Sequence, residues 1–226
     1  MGELLAVCRV HQLLPDAGTV GITAIDKRPV DGRVRAGRYG LYADVQADRQ
    51  NHGGEEQAVY AYAAEDAAFF EPELEREVTP GLFGENLRTG GLDVSGALIG
   101  ERWRVGSAVL EVTQPRTPCG TFARRLGSPP RWVRRFTEVG RTGAYLRVVE
   151  PGDLAAGDAV EVVARPSHGV SVAGWFRAWN AGPSGFAEGA RLGAALVRSA
   201  DDGELDLSTD MRSRAEKAVA RTAASS

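Results

Sequence analysis

Short runs of β-branched residues, separated by glycine-containing turns, recur through the first 165 residues and seldom reach the length of a helix. Runs of this length and spacing are typical of strands in an antiparallel β protein. The predicted strands are Glu3–Val10, Thr19–Ile25, Arg33–Ala43, Arg102–Val105, Ala108–Thr113, Ala144–Val149 and Asp158–Ala164. A chain with so many short strands is expected to close them into a β-barrel.

Helical segments interrupt these strands. An alanine-rich stretch, Glu55–Phe70, is predicted to be one helix, and two shorter helices, Thr121–Leu126 and Arg131–Glu138, flank a pair of prolines. Helices between strands of a barrel are expected to pack on its outside. The predicted fold class is therefore mixed α/β and mainly β, a barrel with peripheral helices.

The character of the sequence changes after residue 166. Four large apolar residues have the spacing i, i+3, i+4 and i+7 of one helix face, namely Val172, Trp175, Phe176 and Trp179. Two more amphipathic helices are predicted at Phe186–Arg198 and Thr209–Thr222. Because each apolar stripe needs a partner, we predict a barrel domain over residues 1–165 and a small C-terminal three-helix domain over residues 167–226.

Composition excludes several classes of protein. With 43% hydrophobic and 25% charged residues, the 226-residue chain is typical of a soluble globular protein. No apolar run approaches the roughly 18 residues of a membrane helix, and no signal peptide is recognised, so we expect a cytoplasmic protein without a membrane partner. The net charge of −3 argues against a nucleic-acid polymer as partner. No two glycines stand at i and i+2, which excludes a Rossmann dinucleotide fingerprint.

Arginine is concentrated between Val112 and Arg147. Eight arginines lie there against the single acid Glu138, while the whole chain has two lysines. A guanidinium pairs with two oxygens of one phosphate or carboxylate, which an ammonium does not. A GC-rich genome explains the preference for arginine equally well, but it does not explain the clustering. We therefore expect this segment to form a docking surface for an anionic partner.

The two cysteines lie in different surroundings. Cys8 belongs to an alternating strand and is expected to be a small buried apolar residue. Cys119 follows Pro118 at the exit of a β-branched strand, close to Arg116. Because nearby cations lower the pKa of a thiol, Cys119 is expected to be a thiolate that binds a metal or attacks an electrophile.

Two glycine-containing turns have both a structural and a functional interpretation. Gly53-Gly54, after His52, opens a predicted helix, where bare N–H groups bind an anion, but such a turn is also ordinary and a lone histidine is often structural. Glu85 and Asn86 follow the turn Gly81–Gly84 and either contact a ligand or brace the turn itself.

Four motifs, in their order and spacing, resemble the MOSC family and, more closely, its YiiM-like branch. They are His52–Tyr60, Phe83–Leu87, Glu111–Cys119 and Gly143–Val148. The resemblance covers residues 3–164, and the predicted C-terminal helices match the small helical domain that often follows MOSC in that branch. It implies a MOSC-type β-barrel.

The resemblance also implies a molybdenum cofactor, in which the dithiolene of a molybdopterin binds molybdenum and a protein cysteine completes the coordination. Cys119 stands at the position of that cysteine, so it would be both metal ligand and catalytic residue. A thiolate is the soft ligand that such a metal centre accepts.

Further positions are implied to bind the cofactor or substrate. Lys27 would pair with the pterin phosphate, and Arg116 and Arg147 would hold the polar edge of the pterin or orient the cysteine loop. The remaining cofactor positions are Thr23, His52, Gly53, Gly54, Gly84 and Asn86. Glu85 would line the pocket, and proton delivery to the substrate is assigned to His52 and Glu85.

The reaction that the resemblance implies is reduction of N-hydroxylated compounds, purine base analogues among them, to amines, which would be a detoxification. Two electrons and two protons would release the hydroxyl oxygen as water. The electrons would come from a separate donor protein, because no flavin or nicotinamide motif is recognised, and the arginine-rich segment is its expected docking surface. A homodimer is one expectation for the assembly.

Two rival interpretations use the same cysteine. In one, the protein is a sulfur or molybdenum-cofactor carrier, with a persulfide or the pterin on Cys119. In the other, it is a cofactor-free thiol enzyme that uses Cys119 and His52. Metal content and turnover distinguish both from a molybdenum-dependent oxidoreductase.

Overall fold

A closed β-barrel forms the centre of the protein, which confirms the predicted fold class. The computed structural model describes residues 1–47 and 53–223. Its strands are β1 (Gly2–Val10), β2 (Leu14–Pro15), β3 (Ile22–Thr23), β4 (Lys27–Pro29), β5 (Val34–Gly37), β6 (Gly40–Leu41), β7 (Val59–Ala63), β8 (Leu87–Gly90), β9 (Arg102–Val105), β10 (Ala108–Pro115), β11 (Ala144–Glu150), β12 (Gly152–Leu154) and β13 (Ala159–Ala164). In this described part, β1, β13, β9, β10, β11, β7 and β8 pair in that order, and β8 pairs with β1 to close a ring of seven strands.

Helices surround the barrel and follow it. They are α1 (Ala64–Leu74), α2 (Gly120–Arg125), α3 (Trp132–Val139), α4 (Val172–Asn180), α5 (Phe186–Asp201) and α6 (Thr209–Ala223). Short 3-10 helices lie at Glu55–Gln57 and Gly182–Gly185. None of the helices in residues 1–47 and 53–223 has the length and apolarity needed to cross a bilayer.

Strand β10 is buried along its whole length. Both of its faces are covered, because one faces the barrel interior and α4 packs nearby on the outside. A strand buried on both faces loses the alternation of apolar and polar residues. The largest buried side chain next to it is Trp103 of β9, whose indole N–H donates to Glu101 over 2.8 Å.

A second apolar cluster is aromatic and holds α1, α2 and α3 against the barrel. Its rings belong to Phe70, Phe83, Phe122, Trp132 and Phe136, with centroids 5.1–6.2 Å apart and mostly in edge-to-face or tilted orientations. Such pairs add to the stabilisation from buried area. This cluster fixes α2, the helix that begins next to Cys119.

The predicted single helix Glu55–Phe70 is wrong. The segment forms a 3-10 turn, the strand β7, and only then α1. All five residues of β7 are buried, since it pairs with β11 on one side and with β8 on the other. Burial in the middle of a sheet outweighs the helix propensity of its alanines.

Other strand predictions differ in extent. Strand β8 was not predicted, and the segment Thr19–Ile25 contains only the two-residue strand β3. The segment Arg33–Ala43 forms a hairpin of β5 and β6. The turn of this hairpin needs Gly40, whose φ is 120° and where a Cβ would lie 2.5 Å from the carbonyl oxygen of Ala58.

The three predicted C-terminal helices are present as α4, α5 and α6. Their buried residues, among them Trp175, Leu196 and Met211, belong to the same apolar cluster as the barrel core. An ion pair of 3.1 Å between Arg147 of β11 and Asp206 also joins the two parts. The division into domains at residue 166 stays a prediction.

We expect Gly143, which precedes β11, to tolerate no side chain. Its φ is 63°, and a Cβ would lie 2.5 Å from the carbonyl oxygen of Ala61. In the control position Gly157, φ is 89° but no atom lies within 4 Å of a Cβ. Gly157→Ala should cost only the left-handed backbone, about 1–2 kcal/mol, and Gly143→Ala clearly more. Urea unfolding measures both, and equal losses would show that the contact with β7 is not what requires the glycine.

Candidate functional site

Cys119 lies where β10 ends and α2 begins. The chain leaves β10 at Pro115, and Cys119 precedes the first turn of α2 with an extended backbone. Its carbonyl oxygen accepts a hydrogen bond of 3.2 Å from Ala123 N–H. The side chain is half-buried, whereas Cys8 is fully buried, as predicted. Burial raises the pKa of Cys8 to about 12, so Cys8 is an inert thiol.

Cys119 lines a cavity of about 390 Å³, a volume within the usual range for small-molecule sites. Five residues predicted from the motifs meet in its wall, namely Thr23, Lys27, Gly84, Arg116 and Cys119. They come from three separate segments of the chain, so the fold brings them together. The charged groups of the described wall are the cations Lys27, Arg116 and Arg124 and the carboxylate Asp16.

Within residues 1–47 and 53–223, aromatic rings rather than a carboxylate hold Arg116. Its guanidinium carbon lies 3.8 Å from the ring centre of Phe122 and 5.5 Å from that of Tyr60. The side chain is buried, and within the described residues its Nη1 has no hydrogen-bond partner. A buried donor without an acceptor is costly. Because Arg116 also lines the cavity, an acceptor group on a ligand there would compensate this donor.

Lys27 is paired within the protein. Its Nζ lies 2.5 Å from Oδ2 of Asp44, and the same oxygen accepts a hydrogen bond of 2.8 Å from Asn86 Nδ2. Asn86 also donates to the carbonyl oxygen of Cys8 and accepts from Tyr60 N–H, each at 3.1 Å. Asn86 does not line the cavity and instead joins β1, β7 and the Asp44 loop.

Glu85 was predicted to line the pocket and supply a proton, but the structure places it elsewhere. It is fully buried and pairs with Arg88. It also accepts hydrogen bonds from Gly81 N–H at 2.8 Å and Phe83 N–H at 3.1 Å. The carboxylate therefore braces the glycine turn, the structural alternative left open by the sequence, and its lone pairs are occupied.

The predicted positions Arg147, Gly53 and Gly54 also lie away from the cavity wall. Arg147 pairs with Glu111 at 2.5 Å, with Glu56 at 3.3 Å and with Asp206, which joins β11 to β10 and to the C-terminal helices. Gly54 N–H donates to Gln46 Oε1 over 2.9 Å, so the Gly53-Gly54 turn braces a residue of the wall. His52 lies outside the described residues.

Sequence reasoning missed the hairpin β2–β3, which covers one side of the cavity. Asp16 in this hairpin accepts hydrogen bonds from Arg124 Nε at 2.8 Å, Arg124 Nη2 at 2.7 Å and Thr121 Oγ1 at 2.9 Å. Arg124 lowers the pKa of Asp16 to about 2, so the carboxylate stays ionised near neutral pH. The pKa of Arg124 is raised, first by Asp16 and less by Cys119.

Gln57, Tyr60 and Tyr145 are further wall residues that the motifs contained but that were given no role. Burial raises the pKa of Tyr145, and Arg116 acts in the opposite direction. Tyr60 donates to the carbonyl oxygen of Thr142 over 2.8 Å. The buried Oε1 of Gln57 has no partner within the described residues. The cavity thus contains a protonated phenol in the same wall as Cys119.

The arginine-rich segment does not form an uncompensated positive surface. Six of its eight arginines pair with carboxylates, and Arg116 is buried. The pairs are Arg124–Asp16, Arg125–Asp26, Arg134–Glu138, Arg135–Glu73, Arg141–Asp66 and Arg147–Glu111. Most of these acids lie far from the segment in the sequence. The segment by itself therefore contains many more cations than acids.

The barrel, with a cysteine at the exit of β10, places the protein in a known class. Residues 48–161 match the MOSC domain, and the chain belongs to the MOSC family, as its motifs predicted. The match begins at residue 48. The side of the cavity that is formed by the β2–β3 hairpin and Lys27 therefore lies outside the matched residues.

Individual relatives are named YflK, YiiM and Reductase. The chain is 39% identical to the uncharacterized protein YflK of Bacillus subtilis over 66% of this chain and 67% of that protein. It is 34% identical to protein YiiM of Escherichia coli over 64% of this chain and 66% of that protein. A protein named Reductase from Gibberella moniliformis is 33% identical over 64% of this chain but only 26% of its own length.

Solved structures support the same architecture over nearly the whole chain. The crystal structure of YiiM from Geobacillus stearothermophilus matches 97% of this chain and 100% of its own with a TM-score of 0.72, at 24% identity. At this identity the match shows the fold alone. The fold that it shows includes the C-terminal helices as well as the barrel.

We expect Glu85→Gln to lower the free energy of unfolding and to have no direct effect on catalysis. The substitution leaves Arg88 charged and buried without its partner, which costs about 3–5 kcal/mol. Cys119→Ser, at a half-buried position, is the control and should change the free energy of unfolding by less than about 1 kcal/mol. Guanidinium unfolding measures both. A stable Glu85→Gln variant would return this carboxylate to the list of chemical candidates.

Proposed function

We propose that this protein is a molybdenum cofactor-dependent reductase that converts N-hydroxylated compounds, such as N-hydroxylated purine base analogues, to amines. The observation that carries the proposal is the position of Cys119 in one cavity wall with the unpaired buried donor of Arg116. Membership of the MOSC family and the relative named Reductase support it.

The residues of the cavity fit a molybdopterin. The cofactor carries a phosphate and a polar pterin edge. The wall offers the hydroxyls of Thr23 and Thr121 and three cations, of which Arg124 pairs with Asp16 and Lys27 with Asp44. Among the described residues Arg116 has a donor without a partner. Gly84 lets Ile25 pack closely in the wall, since a Cβ there would lie 2.9 Å from the Ile25 side chain. Cys119 supplies the soft thiolate ligand. Lys27 would have to share its charge between Asp44 and a phosphate.

When bound, the cofactor supplies the two electrons that reduce the N–O bond. The overall change is R–NHOH plus two electrons and two protons to R–NH₂ plus water. The protein must bind the substrate beside Cys119, exclude bulk water and deliver protons. The β2–β3 hairpin, held to α2 through Asp16, covers the cavity and provides the exclusion.

Tyr145 is the proton donor that the described wall favours. It is half-buried, lies in the same wall as Cys119 and Gln57, and its raised pKa keeps it protonated at neutral pH. Arg116 opposes that rise and so stabilises the phenolate after the proton has left. Glu85 is not used, because its oxygens are occupied. His52 stays a candidate from the sequence alone.

The electrons come in this proposal from a separate donor protein in the cytoplasm. Most of the relative named Reductase lies outside the part that matches this chain. The arginine-rich segment is not used as the docking surface of this donor, because six of its eight arginines are paired within the protein.

The first test is Cys119→Ala, expressed in a host that makes the cofactor. We expect the variant to lose bound molybdenum and at least about 10²-fold in reduction of an N-hydroxylated purine, because the metal loses its protein ligand. Elemental analysis and amine formation with a chemical reductant measure both. Arg131→Gln, on the surface outside the cavity, is the control.

Two results would contradict the proposal. Unchanged molybdenum and activity in Cys119→Ala would remove the cysteine from the chemistry. Wild-type protein without molybdenum but with a cyanide-labile sulfur on Cys119 would instead favour the sulfur or cofactor carrier.

Tyr145→Phe tests the proton donor. Removal of the hydroxyl should leave bound molybdenum unchanged and lower kcat by about 10²-fold, a typical effect of losing a general acid. Because a substrate-binding role would raise KM instead, the ratio of the two effects is informative. Tyr60→Phe, whose hydroxyl donates to a backbone carbonyl, is the matched control. An unchanged kcat in Tyr145→Phe would assign proton delivery to another group.

A further inference from the structure

Part of the cavity that contains Cys119 is lined by exposed aliphatic residues. Val20 and Ile22 belong to the β2–β3 hairpin, and Val45 belongs to the loop after β6. These three residues, which we call the apolar wall, are 43%, 45% and 42% exposed. Aliphatic side chains of this size are usually buried. Their exposure within a small-molecule cavity favours a ligand with an apolar part that covers them.

Hydrogen bonds hold the hairpin in a fixed position. Within its turn, the carboxylate of Asp16 accepts a hydrogen bond of 2.9 Å from Gly18 N–H. The same carboxylate accepts hydrogen bonds from Arg124 and Thr121 of α2, the helix that begins next to Cys119. The hairpin part of the apolar wall is therefore a preformed surface. Binding to such a surface costs less entropy than binding that must first order a loop.

The charges of the described cavity wall do not favour an anionic substrate. Arg124 pairs with Asp16, and Lys27 pairs with Asp44. Arg116, the remaining cation of the described wall, is assigned to the cofactor in the proposed function. The phosphate of the cofactor would add almost two negative charges at neutral pH, so that negative charges would outnumber the three cations. An anionic substrate would therefore lose hydration without gaining a partner.

We propose that the apolar wall determines substrate specificity and selects N-hydroxylated aromatic compounds without a net charge. The aromatic ring packs against Val20, Ile22 and Val45, and the N–OH group faces Cys119 and Tyr145 in the same cavity. The reaction is the one already proposed, Ar–NHOH plus two electrons and two protons to Ar–NH₂ plus water. This inference rests on the proposed function and specifies its substrate class, from which nucleotides and aromatic carboxylates are excluded.

Binding of product amines tests the inference without turnover. The compounds para-aminobenzamide and para-aminobenzoate have nearly the same shape and differ by one negative charge. We use full-length protein from a host that makes the cofactor and measure binding by calorimetry. The amide should bind at least about tenfold more tightly than the carboxylate, because only the carboxylate has a charge to desolvate. Equal binding, or tighter binding of the carboxylate, would overturn the inference.

A double variant tests the hairpin residues. Val20→Thr combined with Ile22→Thr keeps the β-branched shape and replaces apolar surface by hydroxyl groups. Affinity for para-aminobenzamide should fall by about fivefold to tenfold, since the hydroxyls are better hydrated than the aliphatic groups. Val163→Thr is the matched control, because Val163 is a 40% exposed valine of β13 outside the wall of this cavity. If the double variant bound the amide as tightly as wild type, the hairpin would not determine specificity.

Turnover with a chemical reductant tests the substrate class itself. The value of kcat/KM should be at least about tenfold higher for para-hydroxylaminobenzamide than for para-hydroxylaminobenzoate. The double variant should raise KM for the amide and leave kcat nearly unchanged, because the apolar wall binds the ring and does not transfer protons. A preference for the carboxylate in turnover would contradict the inference. Selective binding of the amide without reduction of either compound would contradict the proposed function and leave the binding site standing.

Discussion

The burial of strand β10 is the constraint on which the site depends. Its central place in the barrel fixes its last residue, Pro115, and the next four residues must cross from the barrel to α2. The aromatic cluster holds α2 from the other side through Phe122. Cys119 lies between these two fixed points. Apolar packing on both sides thereby fixes the position of Cys119.

The barrel, the C-terminal helices and the cluster of motif residues were predictable, because they depend on local patterns and on a resemblance with four ordered motifs. The strand β7 was not, since its alanines and acids have helix propensity and only pairing with β8 and β11 makes it a strand. Glu85 shows the same limit at the site. The sequence alone does not distinguish an acid after a glycine turn that faces a cavity from one that, as here, pairs with a buried arginine.

Charge was the least predictable property. The arginines between residues 112 and 147 find their carboxylates in segments as distant as Asp16, Asp66 and Glu73. Counting charges along the chain therefore exaggerated the positive surface, because tertiary pairing neutralises it. Arg116 is the exception that matters, since aromatic rings rather than a carboxylate surround it. Among the described residues, one of its donors has no partner for that reason.

A second cavity, between the barrel and the C-terminal helices, shares three wall residues with the cavity of Cys119, namely Gln57, Thr117 and Tyr145. This limits how the protein can change over generations. A substitution in that wall alters both cavities at once, so a new preference on one side would be tied to damage on the other. Asp210 and Lys217 of α6 line the second cavity and not the cavity of Cys119. Substitutions at these two positions would change the second cavity and leave the surroundings of Cys119 as they are.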